Sequence, residues 1–201
     1  MPVASNKRIR APQMHPKERK KQLLKAGVAC AAAKGIDSTK HADLSRACKV
    51  SVPTIFTYFP NRNSLVTSIL DETGEKLLAN IVKPALALSD PTTRLAATGP
   101  LFMDFTAREP DYVKVWLMWS MHFAPDIQSR FHKFEAHLVD ALAQMIIESS
   151  PGKKLDREDV RDRAQVLSIS SALLAKMVFD GVSDVRREAF VAHIMSSLMQ
   201  V

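Results

Sequence analysis

Apolar positions along the chain recur at three- and four-residue steps. Leu23, Leu24, Val28 and Ala31 predict the buried stripe of a helix from about His15 to Lys34. Pro16 suits its first turn, and Gly35 suits the position just past its end. Ile36 packs the connection, and Ser38 or Thr39 caps the next helix. Leu44, Ala47 and Cys48 form one face of that short second helix. Lys49-Val50 makes a tight turn, with Val50 pointing inward. Ser51 caps a third helix, because its hydroxyl can accept the backbone N–H of Thr54. Pro53 falls in the first turn, where its missing N–H costs nothing. Ile55, Phe56 and Phe59 supply the apolar face of this helix. Ser51, Pro53, Thr54, Thr57 and Tyr58 are left facing out. The pattern is a helix-turn-helix.

Asn61 caps a fourth helix. Its apolar positions, Leu65, Val66, Ile69, Leu70, Leu77, Leu78, Ile81 and Val82, continue until Pro84 ends it. The remainder also reads as helices. One runs from about Pro91 to Arg108, with a kink at Gly99-Pro100, and another starts at Pro110 and carries Trp116, Trp119 and Phe123. A further helix opens at Pro125. Ser149-Ser150-Pro151-Gly152 is a loop. Asp156 caps a long helix to about Asp180, with Gly181 as its stop, and a last helix spans about Ser183 to Met199. The expected fold is all-α, about nine helices, with an N-terminal three-helix unit and a larger C-terminal bundle. The predicted boundaries are a basic arm (1–14), a DNA-binding unit (15–75) and a helical body (76–201).

Charge adds direction to this layout. The net charge is +7, and its placement is uneven. Residues 1–65 hold 13 Lys and Arg against 3 Asp and Glu, while residues 66–201 hold 15 against 18. All the positive excess lies in the third that carries the helix-turn-helix, which favours a polyanionic partner. Lys17, Arg19, Lys20 and Lys21 crowd the N-terminal end of the first helix, the unfavourable end for cations. Phosphate contact by Lys17 and Lys20 would reward that placement. Arg62 starts the fourth helix beside the outward face of the third, where free N–H groups also favour an anion. Arg8 and Arg10 either reach a minor groove, as homeodomain arms do, or solubilise the chain end. His41 is either a phosphate contact or a packing residue.

Hydrophobic content is 46%, enough for a sizeable core. No apolar run approaches the roughly 18 residues of a membrane span, and the chain starts basic rather than apolar. The two cysteines, Cys30 and Cys48, lie on apolar faces and form no CxxC pair, which suits reduced thiols in the cytoplasm. His132 and His137 are five apart and share no helical face, and no HExxH is present, so no metal or other cofactor is expected. No GxSxG and no phosphate-cradling glycine loop suggest an enzyme.

The order helix, helix-turn-helix, then Phe59-Pro60-Asn61-Arg62-x-x-Leu65 resembles the TetR family of bacterial transcriptional regulators. His41-Ala42-Asp43, Val50-Ser51-Val52, Tyr58-Phe59-Pro60, Val113-Lys114-Val115-Trp116 and Trp119-Ser120 look closer still to the quorum-sensing master regulators of vibrios, the LuxR/HapR/SmcR type. The wider family usually has glycine where this chain has Lys49. The resemblance implies a homodimer on double-stranded DNA, its two terminal helices forming a four-helix interface. Leu167, Ser170, Leu174, Met177, Phe190, Ile194 and Leu198 are the candidates for that interface, unless these helices merely complete the monomer core. It also implies a ligand site in the body. Phe102, Phe105, Trp116, Met118, Trp119 and Phe134 either line such a site or are plain core. With no charged cluster among them, the expected ligand is small and apolar.

Overall fold

Helix α1 (Pro16–Lys34) begins where His15 Nδ1 accepts the Lys17 N–H at 3.4 Å, and it stops at Gly35, which takes φ 93°. The computed structural model describes residues 14–152 and 154–199, so Arg8 and Arg10 lie outside the described residues. Among the described residues every regular element is helical. Helix α2 (His41–Cys48) starts after Lys40, not at Ser38 or Thr39. Asp43 accepts the Lys40 N–H at 2.8 Å, whereas Thr39 is buried and spends its hydroxyl on the Gly35 carbonyl at 3.0 Å. Helix α3 (Val52–Tyr58) is capped as its sequence predicts, with Ser51 Oγ 3.3 Å from the Thr54 N–H and Pro53 in the first turn.

Helix α4 (Arg62–Leu77) opens at Asn61, whose side-chain oxygen accepts the Ser64 N–H at 2.8 Å. It does not end at Pro84. The helix widens into a π-helical segment (Leu78–Val82), in which the Lys83 N–H reaches the Leu78 carbonyl, and resumes as a short α-turn (Lys83–Leu86). A proline has no N–H to give and its ring crowds the carbonyl four residues back. A widened turn ahead of it relieves that crowding.

The remaining helices are α5 (Pro91–Arg108), α6 (Pro110–Ser120), α7 (Pro125–Glu148), α8 (Arg157–Phe179) and α9 (Asp184–Met199). Asp156 caps α8 by accepting the N–H groups of Glu158 and Asp159 at 3.0 and 3.1 Å. Helix α6 stops before Phe123, which stands 84% exposed in the connection rather than on the apolar stripe expected of it.

The chain divides into two compact units between Ile69 and Leu70. The first is built on Leu23, Val28, Ala31, Leu44, Ile55, Phe59 and Leu65, all buried. Gly27 lets α1 approach closely, since a Cβ there would lie 2.9 Å from Ile69 Cδ1. The second unit packs Val82, Leu95, Val139, Leu142, Met145, Ile146 and Val160 into one cluster.

The faces of α8 and α9 differ from expectation. Leu167 and Leu174 are buried in this chain's own core, Phe190 and Ile194 line an interior cavity, and Leu198 packs against the core cluster. Ser170 and Met177 are half-buried. The expected interface residues are therefore largely the inward stripe. The outward apolar positions of α8 are Val166, Ile169 and Leu173, exposed by 47, 74 and 51%. Small polar residues interrupt both stripes of α8, so periodicity alone does not tell the inward stripe from the outward one.

Candidate nucleic-acid interface

Two bonds set the angle between α2 and α3. The Val50 N–H donates to the Ser45 carbonyl at 3.1 Å, and Ser45 Oγ donates to the Val50 carbonyl at 2.6 Å. Between them Lys49 adopts φ 54° and ψ 41°, the one positive φ outside glycine among the described residues. Asp43 anchors the base of α2. Its carboxylate pairs with Lys34 and accepts the Lys40 N–H, and these bonds hold it below the usual carboxylate range. Burial pushes the Cys30 and Cys48 thiols up, consistent with their assignment as protonated packing groups.

The outer side of α3 carries Ser51, Pro53 and Thr57, all exposed, with Thr54 and Tyr58 half-buried beside them. Ser51 and Thr54 hydroxyls lie 2.8 Å apart, and Thr57 Oγ1 donates to the Pro53 carbonyl at 3.2 Å. Such short side chains let a partner's edge come close to the helix backbone.

Phe56, Ala47 and Val50 depart from their expected places. Phe56, expected on the inner face, is 45% exposed. His41 takes the packing alternative, buried at 8% exposure with Nε2 2.7 Å from the Phe59 carbonyl oxygen. Its ring stacks on Phe56 with centroids 4.2 Å apart. The inner face needs only Ile55 and Phe59, three turns of contact being unavailable to a helix of seven residues. Ala47 and Val50 are likewise less buried than expected, exposed and half-buried.

Lys17 and Lys20 are exposed on α1. Arg19 between them is buried and donates to Gln22 Oε1 at 2.7 Å, a packing role that its charge concealed. Arg62 is exposed at the start of α4, where its Nη2 donates to the Asp37 carbonyl at 2.7 Å. Its guanidinium therefore fastens the α1–α2 connection while remaining open to an anion.

The second unit contains an interior cavity of about 70 Å³. Phe102, Trp116 and Phe134 line it, together with Leu174, Phe190 and Ile194. The other three expected pocket residues do not. Phe105 and Trp119 are buried core residues, Trp119 donating its indole N–H to the Ile127 carbonyl at 3.1 Å, and Met118 is half-buried elsewhere. The alternation along α6 turns Trp116 and Trp119 to different neighbours. Trp119 joins Phe131 and Phe134 in an aromatic cluster. No charged side chain lines the cavity. The described residues hold no group of three or more metal-ligating side chains, and none of their helices is long and apolar enough to cross a membrane.

Comparison with known proteins matches this geometry. Residues 23–69 match the model of the bacterial regulatory proteins, tetR family. The chain is 22% identical over 192 residues to the HTH-type transcriptional regulator LuxR of Vibrio harveyi, covering 94% of this chain and 91% of that protein. A TetR-like transcriptional regulator from Rhodococcus sp. RHA1 shares the fold at TM-score 0.76 and 16% identity, over 94% of this chain and 100% of that one. The transcriptional regulator FadR from Bacillus subtilis, in complex with stearoyl-CoA, superposes at TM-score 0.72 and 16% identity, over 90 and 97% of the two chains.

Proposed function

For a chain whose N-terminal unit is that of the tetR-family regulators and whose fold is TetR-like, we propose sequence-specific control of transcription by a homodimer on a pseudo-palindromic operator. The matched proteins are DNA-binding transcriptional regulators, not enzymes. The observation that carries the finer reading is the outer face of α3, which presents short hydroxyl side chains from the unit holding all the excess positive charge. Helix α3 enters the major groove, and its copy enters the next one about 34–36 Å away. Ser51, Pro53, Thr54, Thr57 and Tyr58 face bases or adjacent phosphates. Lys17, Lys20 and Arg62 mainly meet phosphate, which positions the protein without reading sequence. Arg8 and Arg10 reach the minor groove. Val166, Ile169 and Leu173 supply the apolar centre of the dimer interface.

Likeness to LuxR supports a quorum-sensing-type master regulator. Selection of duplexes from a random pool at physiological salt, by the full chain and by a chain starting at His15, tests the reading. The expected product is an inverted repeat, with flanking A·T preference lost from the shorter chain.

The cavity favours a second element, release from DNA by a ligand, as in a local repressor of an efflux or metabolic gene. An engineered cavity of about 150 Å³ holds benzene. This one admits only part of such a molecule unless α8 and α9 move apart. Its uncharged, mostly apolar lining suits a neutral apolar molecule. The test is thermal stabilisation by 2-heptanone but not by heptanoate, with matching loss of operator binding.

A further inference from the structure

The exposed surface of α3 is not purely polar. Val52 and Phe56 are 36 and 45% exposed and stand four residues apart, side by side on the helix. Pro53, three residues before Phe56, is exposed beside it, and the unit carries 13 Lys and Arg in its first 65 residues against 3 Asp and Glu. That charge selects a polyanion over an apolar protein groove. On the major-groove edge of DNA the one apolar substituent is the C5-methyl group of thymine. We propose that Val52 and Phe56 read thymine methyls, and that His41 is a positioning residue that sets the Phe56 ring for this contact. The inference rests on α3 entering the major groove.

The geometry carries the second half of the proposal. An exposed phenyl ring ordinarily turns among rotamers. Phe56 is backed by the His41 imidazole, nearly parallel at 10° and 4.2 Å away. The imidazole is itself fixed, buried and held 2.7 Å from the Phe59 carbonyl oxygen. One face of the phenyl is thus covered by protein, and the apolar edge that remains points outward in a defined direction.

The test uses the full chain and the duplex it selects from a random pool, with each thymine replaced in turn by deoxyuridine. That exchange removes a methyl and leaves the base pair intact. Loss of one buried methyl corresponds to about fourfold in affinity. We expect one or two positions in each half-site to show this loss. The double variant V52A/F56A should bind thymine and deoxyuridine duplexes equally. His41→Ala should lose the discrimination, and His41→Phe, which keeps a ring behind Phe56, should retain it.

If the unaltered chain binds every deoxyuridine duplex as tightly as the thymine parent, yet still rejects scrambled sequence, the methyl-reading proposal fails and the DNA-binding reading stands. If no duplex is preferred at all, both fail. If His41→Ala weakens thymine and deoxyuridine duplexes alike, the imidazole has no positioning role.

Discussion

Gly99 on α5 faces Val191 on α9 so closely that a Cβ at Gly99 would lie 2.6 Å from Val191 Cγ1. The contact lies on the wall of the interior cavity, which both residues line. A methyl there forces α9 outward or Val191 off its rotamer. Overpacking of this kind costs about 1–3 kcal/mol. Gly99→Ala should lower the melting temperature, and adding Val191→Ala should restore most of the loss. Calorimetry of the two variants checks this.

Lys49 occupies the left-handed region without being glycine. That conformation costs an L-residue about 1–2 kcal/mol, part of which a glycine gives back in backbone entropy. Lys49→Gly should therefore raise the unfolding free energy by up to about 1 kcal/mol. Denaturant titration measures it.

Asp43 owes its lowered pKa to its partners. Its carboxyl is held below its ordinary value of 3.8, first by the Lys34 bond and then by the Lys40 N–H. A group depressed in the folded state contributes stability above its unfolded value. That contribution fades as pH falls through the folded value. The parent should lose stability on acidification from about pH 5 more steeply than Asp43→Asn, with the two curves converging at the acid end. A steeper acid limb in the variant would contradict the assignment.

Arg62 is shared between Asp37 and a prospective phosphate. Arg62→Ala should weaken binding to all duplexes alike and reduce the salt slope by about 1. Asp37→Asn removes the competing carboxylate and should strengthen binding severalfold at low salt, without changing sequence preference. Titrations at several salt concentrations separate the two effects.

Ile169 stands 74% exposed between Val166 and Leu173 on α8. Ile169→Arg should leave the monomer folded, because nothing in its own chain depends on that side chain. Sedimentation should then show monomer where the parent sediments as dimer, and operator affinity should fall with it.

Much of this architecture was legible in the chain itself. Ser51, Asn61 and Asp156 are caps because their short polar side chains reach the next turn, and proline and glycine bound α1 as their backbone limits dictate. The failures are equally local. Pro84 reads as a stop, but a π-turn absorbs it. Phe56 reads as core, since a phenyl normally is, but Ile55 and Phe59 fill the inner face of this short helix and Phe56 stacks on His41 of another. Leu167 and Leu174 read as an interface because an amphipathic stripe does not state whether its partner is its own chain or another. Trp116 and Trp119 share a three-residue step, yet one lines a cavity and the other bonds to Ile127. Apart from Pro84, each miss turns on a tertiary neighbour that periodicity cannot supply.

The central claim is that the outer side of α3 distinguishes one DNA sequence from another. The most direct measurement is equilibrium competition between the selected duplex and a scrambled duplex of the same composition, at physiological salt. A preference of at least about a thousandfold is expected for the full chain, collapsing toward parity when Thr57 and Phe56 are both replaced by alanine. Equal affinity of the unaltered chain for the two duplexes would contradict it.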